Sequence, residues 1–279
     1  MLLCVVLSTL MLAATASAFL PGAAPAALRR VAYRPLALGA FIMAPCAFWH
    51  FGSPVPGAGD DLSGVAVMSA FGGQVAAARA ADAGDARYAA LAPLLARTEV
   101  VLLATSSEEA GLRGAKRFVA AHAAELAALP TAALFLESTH DAAWLSAISD
   151  EIFTRAHHNP SLLQLAAEAA AAAGAPRPLH LVKLPFGATD GSAFTTAGVA
   201  SAVLQAVDVR TIPPQYHTRL DVLATVAPSA LEVQLGTVIN LAAAVGRGEW
   251  DGAPEELRAA GGGKQGRGGG AAAAAHTEL

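Results

Sequence analysis

Cysteine is scarce in this chain of 279 residues, which has two, and charged residues make up only 14% of it. Cys4 lies in the N-terminal apolar segment, so removal of that segment would leave Cys46 alone and exclude an internal disulfide. Cys46 sits in an apolar run, where a buried and unreactive thiol is expected. The net charge of −4 lacks the basic excess of nucleic-acid-binding proteins, so no nucleic acid is expected as a partner.

Hydrophobic residues make up 54% of the chain, and the high alanine content accounts for much of this share, so the composition indicates a helix-rich soluble protein. The chain is long enough for one domain with a large core. Residues 1–18 form an apolar run that ends in Ala16-Ser17-Ala18, a pattern typical of a cleaved signal peptide. A retained signal anchor is the alternative, because the run is near the lower limit for spanning a bilayer. No stable membrane span is expected after cleavage.

The segment 19–36 is rich in proline, alanine and arginine and is interpreted as a transit-like or linker segment. Phe19 directly after the cleavage pattern, together with the proline-, alanine- and arginine-rich stretch to Arg34, resembles the bipartite leaders of algae with secondary plastids. Entry into the secretory pathway is therefore predicted, with a secreted or lumenal protein as the first expectation and a secondary plastid as the alternative.

Residues 37–250 alternate between apolar strand-like segments and helical patterns, which predicts an α/β domain with a mainly parallel sheet covered by helices on both faces. Residues 251–279 are rich in glycine and alanine and are predicted to be a disordered tail. Strands are expected at 37–49, 100–103, 131–136, 179–186 and 199–207, and the longer helices at 65–80, 113–129, 160–173 and 231–245.

The stretch Val100–Phe118 reads VVLLATSSEEAGLRGAKRF, which predicts a buried strand, a loop with Glu108 and Glu109, and then a helix. Two neighbouring carboxylates in one pocket repel each other unless a positive group lies beside them. A divalent metal would satisfy this requirement, with one glutamate as ligand and the other as base. The alternative is a solvated pair at a helix N-terminus, stabilised by the helix dipole.

Other acids and imidazoles follow the apolar segments or lie in the loops beyond them. Each of them alone has a structural explanation, but together their nitrogen and oxygen donors suit a two-zinc site. The candidate ligands are His50, Asp60, Glu109, Glu137 and His217.

Four segments resemble the motifs of the M28 zinc aminopeptidases, in order and spacing. Residues 108–114 match the first seven positions of EExGLxGS, 57–64 resemble GAxDxxSG, 189–199 resemble SDHxxFxxAGI, and 216–221 resemble the final HTxxD. The resemblance covers residues 40–245 and implies the zinc-aminopeptidase-like (phosphorylase/hydrolase-like) fold, a mainly parallel mixed sheet sandwiched between helices. It also implies two zinc ions and a peptide or aminoacyl substrate with a free α-amine.

The resemblance further implies a role for each matching residue. Asp60 would bridge both ions, His50 and Glu137 would complete one zinc site, and Glu109 with His217 the other. Glu108 would be the general base and acid, taking a proton from the attacking water and passing it to the leaving amine. Asp190 and Tyr216 are expected to bind substrate.

Three positions depart from the family pattern. His50-Phe51-Gly52 lacks the acid of the usual His-x-Asp, so the zinc at His50 is expected to be the weaker one. Glu137 replaces the more frequent aspartate, and Gly191 replaces the histidine of SDH. Two other functions stay open: a glutaminyl-cyclase-like acyltransferase with one zinc, and a non-catalytic binding protein with the peptidase fold.

Overall fold

The computed structural model describes residues 54–82, 85–208, 211 and 213–253. The sequence predictions for the leader, for the segment 37–49 with Cys46, and for His50 and Gly52 lie outside these residues. The same is true of most of the predicted tail.

A five-stranded mixed sheet forms the centre of the described chain. β5 lies between β1, to which it is parallel, and β2, to which it is antiparallel. β2 also pairs with β4 in parallel and with the two-residue β3 in antiparallel orientation. The strands are β1 Ala132–Thr139, β2 Leu145–Glu151, β3 Ala156–His157, β4 His180–Leu184 and β5 Ala200–Ala206.

Seven α-helices accompany the strands in the described chain. In chain order they are α1 Ser63–Ala80, α2 Ala92–Arg97, α3 Arg113–Ala121, α4 Ala123–Ala128, α5 Pro160–Ala172, α6 Asp190–Thr196 and α7 Pro228–Gly246. Short 3-10 turns lie at Ala86–Tyr88, Ala142–Trp144 and Leu223–Thr225, and a π-turn lies at Ala58–Leu62.

The helices cover both faces of the sheet. α1, α2, α5 and α7 pack on one face around the largest apolar cluster, which includes Leu162, Leu204 and Leu241, all with no measurable exposure. α3 and α6 pack on the other face around a smaller cluster with Phe194 at its centre. Helices on both faces of the sheet confirm the predicted α/β class.

Several predicted elements are confirmed. The predicted helices at 65–80, 160–173 and 231–245 correspond to α1, α5 and α7, and α5 is capped by the Asn159 side chain, which accepts from Leu162 N at 2.8 Å. The predicted helix 113–129 is divided at His122 into α3 and α4. The strands at 131–136, 179–186 and 199–207 correspond to β1, β4 and β5.

The prediction of a buried strand at 100–103 is wrong. This segment has no strand pairing, and Val101 and Leu102 are 65% and 46% exposed. Only Val100 and Leu103 pack against apolar clusters. Because β1 pairs only with β5 among the described strands, no hydrogen-bonded partner holds 100–103 in a sheet.

Four strands and helices of the described chain were not predicted from the sequence: α2, β2, the two-residue β3 and α6. β2 contains Ser146, Ser149 and Asp150 among its apolar residues and has no clear alternation, although it pairs with three other strands. α6 begins at Asp190, between the strands predicted at 179–186 and 199–207, where no helix is predicted. In addition, Ala253 is buried, so the ordered chain continues past the predicted tail boundary at 251.

α7 is long and apolar enough to cross a membrane, but half of its most apolar window is buried within the protein. It packs against α1, α2 and α5, and Val238 and Leu241 belong to the main core. This packing accounts for the apolar character of α7 as that of a core helix.

Replacement by alanine at two glycines should change the free energy of unfolding in opposite directions. Gly73 lies exposed within α1 with open space around it, so Gly73→Ala should raise the free energy of unfolding by about 0.5–1 kcal/mol. A Cβ at Gly246 would lie 2.4 Å from Leu94 Cα, so Gly246→Ala should lower it by about 1–3 kcal/mol. Urea denaturation of both variants checks this, and shifts in the same direction would contradict the packing of α7 on α2.

Candidate metal centre

Glu108 and Glu109 lie in a turn that is closed at its base. The backbone N–H of Gly114 donates to Ser106 O at 2.9 Å, and the N–H of Leu112 donates to Glu108 O at 2.7 Å. A Cβ at Gly114 would lie 2.4 Å from Ser106 O, so only glycine permits this approach. Ser107 and Leu112 adopt left-handed φ angles of 59°, an unusual conformation for these residue types.

Asp60 lies in the π-turn Ala58–Leu62, directly before α1. Asp221, which is 1% exposed, holds this turn from the far end of the sequence. Its Oδ1 accepts from Gly59 N at 2.7 Å and its Oδ2 accepts from Asp60 N at 3.0 Å. The buried carboxylate of Asp221 therefore fixes the backbone that carries Asp60.

His217 joins the two segments that carry these acids. Its Nε2 lies 3.2 Å from Asp60 Oδ2 and 2.9 Å from Glu109 Oε1. His217 has a left-handed φ of 55°, and its ring stacks on Tyr216 with 3.9 Å between centroids. Ligand atoms of Asp60, Glu109 and His217 all lie within 4.8 Å of one another.

Three further carboxyl groups interact electrostatically with this centre. Burial, followed by the charge of Asp60, raises the pKa of Asp61 to about 8. Burial, followed by the charge of Asp61, raises the pKa of Glu137 well above its usual range. Burial also raises the pKa of Asp190, although a hydrogen bond from Thr105 opposes this effect.

The pKa values of Glu108 and His217 are both raised, but for different physical reasons. Burial, followed by the charges of Glu109, Asp190 and Asp60, raises the pKa of Glu108 to about 7. Hydrogen bonds to Asp60 and Glu109 raise the pKa of His217 to about 10. Without a metal, the protonated imidazole therefore occupies the place of a cation between the two carboxylates.

The donor set fits zinc. Zinc is bound in proteins by imidazole nitrogen and carboxylate oxygen, which is what His217, Asp60 and Glu109 offer at one point. Burial, and after it the charge of neighbouring carboxylates, raises the pKa of Asp61, Glu108 and Glu137, and a divalent cation would favour their ionised forms.

The structure thus brings together three of the five ligand residues predicted from the sequence. Glu137 lies near the end of β1 and interacts electrostatically with Asp60 and Glu108, but is not part of the three-residue group. Tyr216 contacts His217 and Asp190 interacts with Glu108, so both expected substrate-binding residues lie at the same centre. His50 lies outside the described residues.

Two residues of the centre received no role from the sequence. Asp221 is the last position of the HTxxD segment, and more than 150 positions separate it from Asp60, so no local pattern indicates the contact. Thr105, which donates to Asp190 Oδ2, lies in a polar stretch without a recognisable signal.

The profile of Peptidase family M28 matches residues 43–242. A comparison with curated protein sequences finds no significant match. Among solved structures, the zinc aminopeptidase BSAP from Bacillus subtilis is similar with a TM-score of 0.52 and 22% identity, over 69% of this chain and 43% of that one. LapA aminopeptidase from Legionella pneumophila has a TM-score of 0.50 and 17% identity, over 69% of this chain and 48% of its own. The chain thus spans less than half the length of either protein, and these likenesses show the fold.

Replacement of Asp221 should weaken both the fold and metal binding. Asp221→Ala leaves the N–H groups of Gly59 and Asp60 without their acceptor, which should lower the free energy of unfolding by at least about 1–3 kcal/mol. Because the turn that carries Asp60 is released, zinc affinity should fall about tenfold or more. Denaturation and zinc titration measure the two effects. Asp82→Ala, at an exposed site just beyond α1, is the control, and equal effects in both variants would contradict this role.

Zinc binding should release protons. A zinc ligand must be deprotonated, whereas the pKa of His217 is about 10 and that of Glu137 is well above its usual range in the metal-free protein. Zinc affinity should therefore rise with pH toward about 10. Calorimetry in two buffers of different ionisation enthalpy counts the protons released on zinc binding. Zinc binding to His217→Ala should release fewer protons than zinc binding to the wild type. Identical heats in both buffers would contradict the prediction.

Proposed function

The chain belongs to peptidase family M28, and we propose that it is a zinc-dependent aminopeptidase that hydrolyses peptide bonds next to a free N-terminus. The observation that carries this proposal is the convergence of Asp60, Glu109 and His217 from three distant segments of the chain. Their mixed nitrogen and oxygen donors suit a catalytic zinc site.

We propose two zinc ions per chain. Asp60 would serve both, Glu109 and His217 would hold one, and Glu137 with His50 would hold the other. Bound zinc would polarise the substrate carbonyl and lower the pKa of water. The other steps of the reaction belong to side chains of the protein.

Glu108 is the proposed general base and acid. Its carboxylate would accept the proton of the attacking water and return it to the nitrogen of the leaving amine. A pKa of about 7 in the metal-free protein, raised chiefly by burial, suits a group that both accepts and returns a proton near neutral pH. The adjacent Glu109 faces His217, which leaves Glu108 available for this task.

The charge of the site favours a substrate with a free α-amine. With Asp60 and Glu109 engaged by zinc, the carboxylates of Glu108 and Asp190 would remain in this region to attract an α-amine. Tyr216 and Asp190 are the proposed substrate-binding residues. Burial, followed by the charge of Asp60, raises the pKa of Tyr216, so the phenol stays neutral and can donate a hydrogen bond.

The N-terminal sequence adds a proposed location. The signal-peptide pattern supports action in the secretory pathway, as a secreted or lumenal protein, with a secondary plastid as the alternative. Peptides or aminoacyl compounds would be the partners, without nucleic acid and without a stable membrane span.

Glu108→Gln should retain zinc and lose most hydrolysis of leucine p-nitroanilide. The amide cannot carry the proton, and general acid–base catalysis contributes about 10² to 10⁴-fold. Metal analysis and initial rates on the same sample measure both properties. Glu125→Gln, at an exposed residue of α4, is the matched control and should keep the wild-type rate.

Near wild-type turnover by Glu108→Gln with full zinc would exclude Glu108 as the base. Two other results would exclude the function itself. Cyclisation of an N-terminal glutamine with one zinc per chain would indicate an acyltransferase, and a folded protein that binds no zinc would indicate a non-catalytic module.

A further inference from the structure

A buried hydrogen-bond network lies behind the first turn of α6. The side chains of Glu151, at the end of β2, and His158 are both fully buried, and His158 Nε2 donates to Glu151 Oε1 at 3.1 Å. On its other side, His158 Nδ1 lies 2.9 Å from Thr195 Oγ1 and 3.0 Å from Ser201 Oγ. The network therefore joins β2 and β5 to α6.

Glu151 binds the residue directly before Asp190. The backbone N–H of Thr189 donates to Glu151 Oε2 at 3.0 Å, and the Thr189 hydroxyl donates to Glu151 Oε1 at 2.5 Å. Thr189 is the N-cap residue directly before α6, but its side chain caps no N–H group of that helix. Both of its polar groups are directed to Glu151 instead.

Asp190 continues this connection into the metal centre. Its Oδ2 accepts from the hydroxyl of Thr105, at the start of the turn that carries Glu108. Its Oδ1 is buried and has no hydrogen-bond partner among the described residues. Asp190 also interacts electrostatically with Glu108 and Glu137, so its position affects the residues proposed for catalysis.

Hydrogen bonds link Ser201 to His158 and His158 to Glu151, in the order of a nucleophilic triad. The burial of all three residues excludes that function. Ser201 and the side chains of His158 and Glu151 have no measurable exposure, so no substrate reaches the hydroxyl. Glu151 can act only through the residues that it holds, and the residue that faces the centre is Asp190.

We propose that Glu151 is a positioning residue for substrate binding: through Thr189 it fixes the start of α6 and holds Asp190 at the candidate metal centre. The inference rests on the proposed aminopeptidase function. Replacement of the carboxylate by an amide removes one acceptor, so Thr189 can no longer donate to both oxygens. Asp190 then loses its fixed position, while the predicted zinc ligands keep their own contacts.

The test is a double-mutant cycle on the zinc-loaded full chain, with leucine p-nitroanilide as substrate. Glu151→Gln should raise KM about tenfold or more, with a smaller effect on kcat and unchanged zinc content, because small misplacements of a binding group are costly. Thr189→Val, which lacks the hydroxyl, should also raise KM. Thr189→Ser, which keeps the hydroxyl, should have a KM close to that of the wild type. The double variant should be no worse than Glu151→Gln alone, because both changes break one connection.

Asp150→Asn is the matched control. Asp150 is the neighbour of Glu151 on β2, and its carboxylate contacts Ser149 and His157 instead of Thr189. Its KM should equal that of the wild type. A wild-type KM for Glu151→Gln, additive effects in the cycle, or an equal rise in Asp150→Asn would each overturn the proposal. If Glu151→Gln does not fold, the comparison of Thr189→Val with Thr189→Ser decides, and equal KM values for the two overturn it.

Hydrogen exchange separates this proposal from the proposed function. Amides of the segment 186–196 should exchange faster in Glu151→Gln and Thr189→Val than in the wild type, and unchanged exchange would overturn the positioning role. A zinc-loaded wild type that hydrolyses no aminoacyl compound overturns the aminopeptidase function instead, and the exchange result still decides whether Glu151 holds the start of α6.

Discussion

Repulsion among carboxyl groups is the constraint on which the candidate centre depends. Asp60 and Glu109 come from distant segments and meet at one imidazole nitrogen of His217, while Asp61, Glu108, Glu137 and Asp190 interact around them. Such a group of acids is unfavourable without a cation, which the protonated His217 supplies in the metal-free protein. Zinc would replace a single, partly exposed positive charge by a divalent one.

The surrounding fold holds these acids in place against that repulsion. Asp221 fixes the backbone at Asp60, the turn closed at Gly114 presents Glu108 and Glu109, and Glu151 holds the start of α6. The backbone at Ser107, Leu112 and His217 adopts left-handed φ angles that these residue types rarely adopt, so the surrounding contacts must stabilise this conformation.

The sequence predicted much of this arrangement, since motifs of adjacent residues carried the signal. Family motifs, in matching order and spacing, identified the segments that carry Glu108-Glu109, Asp60 and His217. Strong helical patterns predicted α1, α5 and α7. Contacts across long sequence separations could not be predicted in this way. The bonds of Asp221 to the Asp60 turn and of Glu151 to Thr189 depend on tertiary packing. The prediction of a strand at 100–103 is wrong for the same reason: a run of apolar residues indicates burial, but strand formation also requires a neighbouring strand to pair with.

One measurement tests the central claim most directly: zinc content and hydrolysis of leucine p-nitroanilide, determined together on the purified chain after exposure to zinc. The account predicts two zinc ions per chain and release of p-nitroaniline that stops when a chelator removes the metal. A folded chain that binds no zinc, or that releases p-nitroaniline at the same rate after complete removal of the metal, would contradict it.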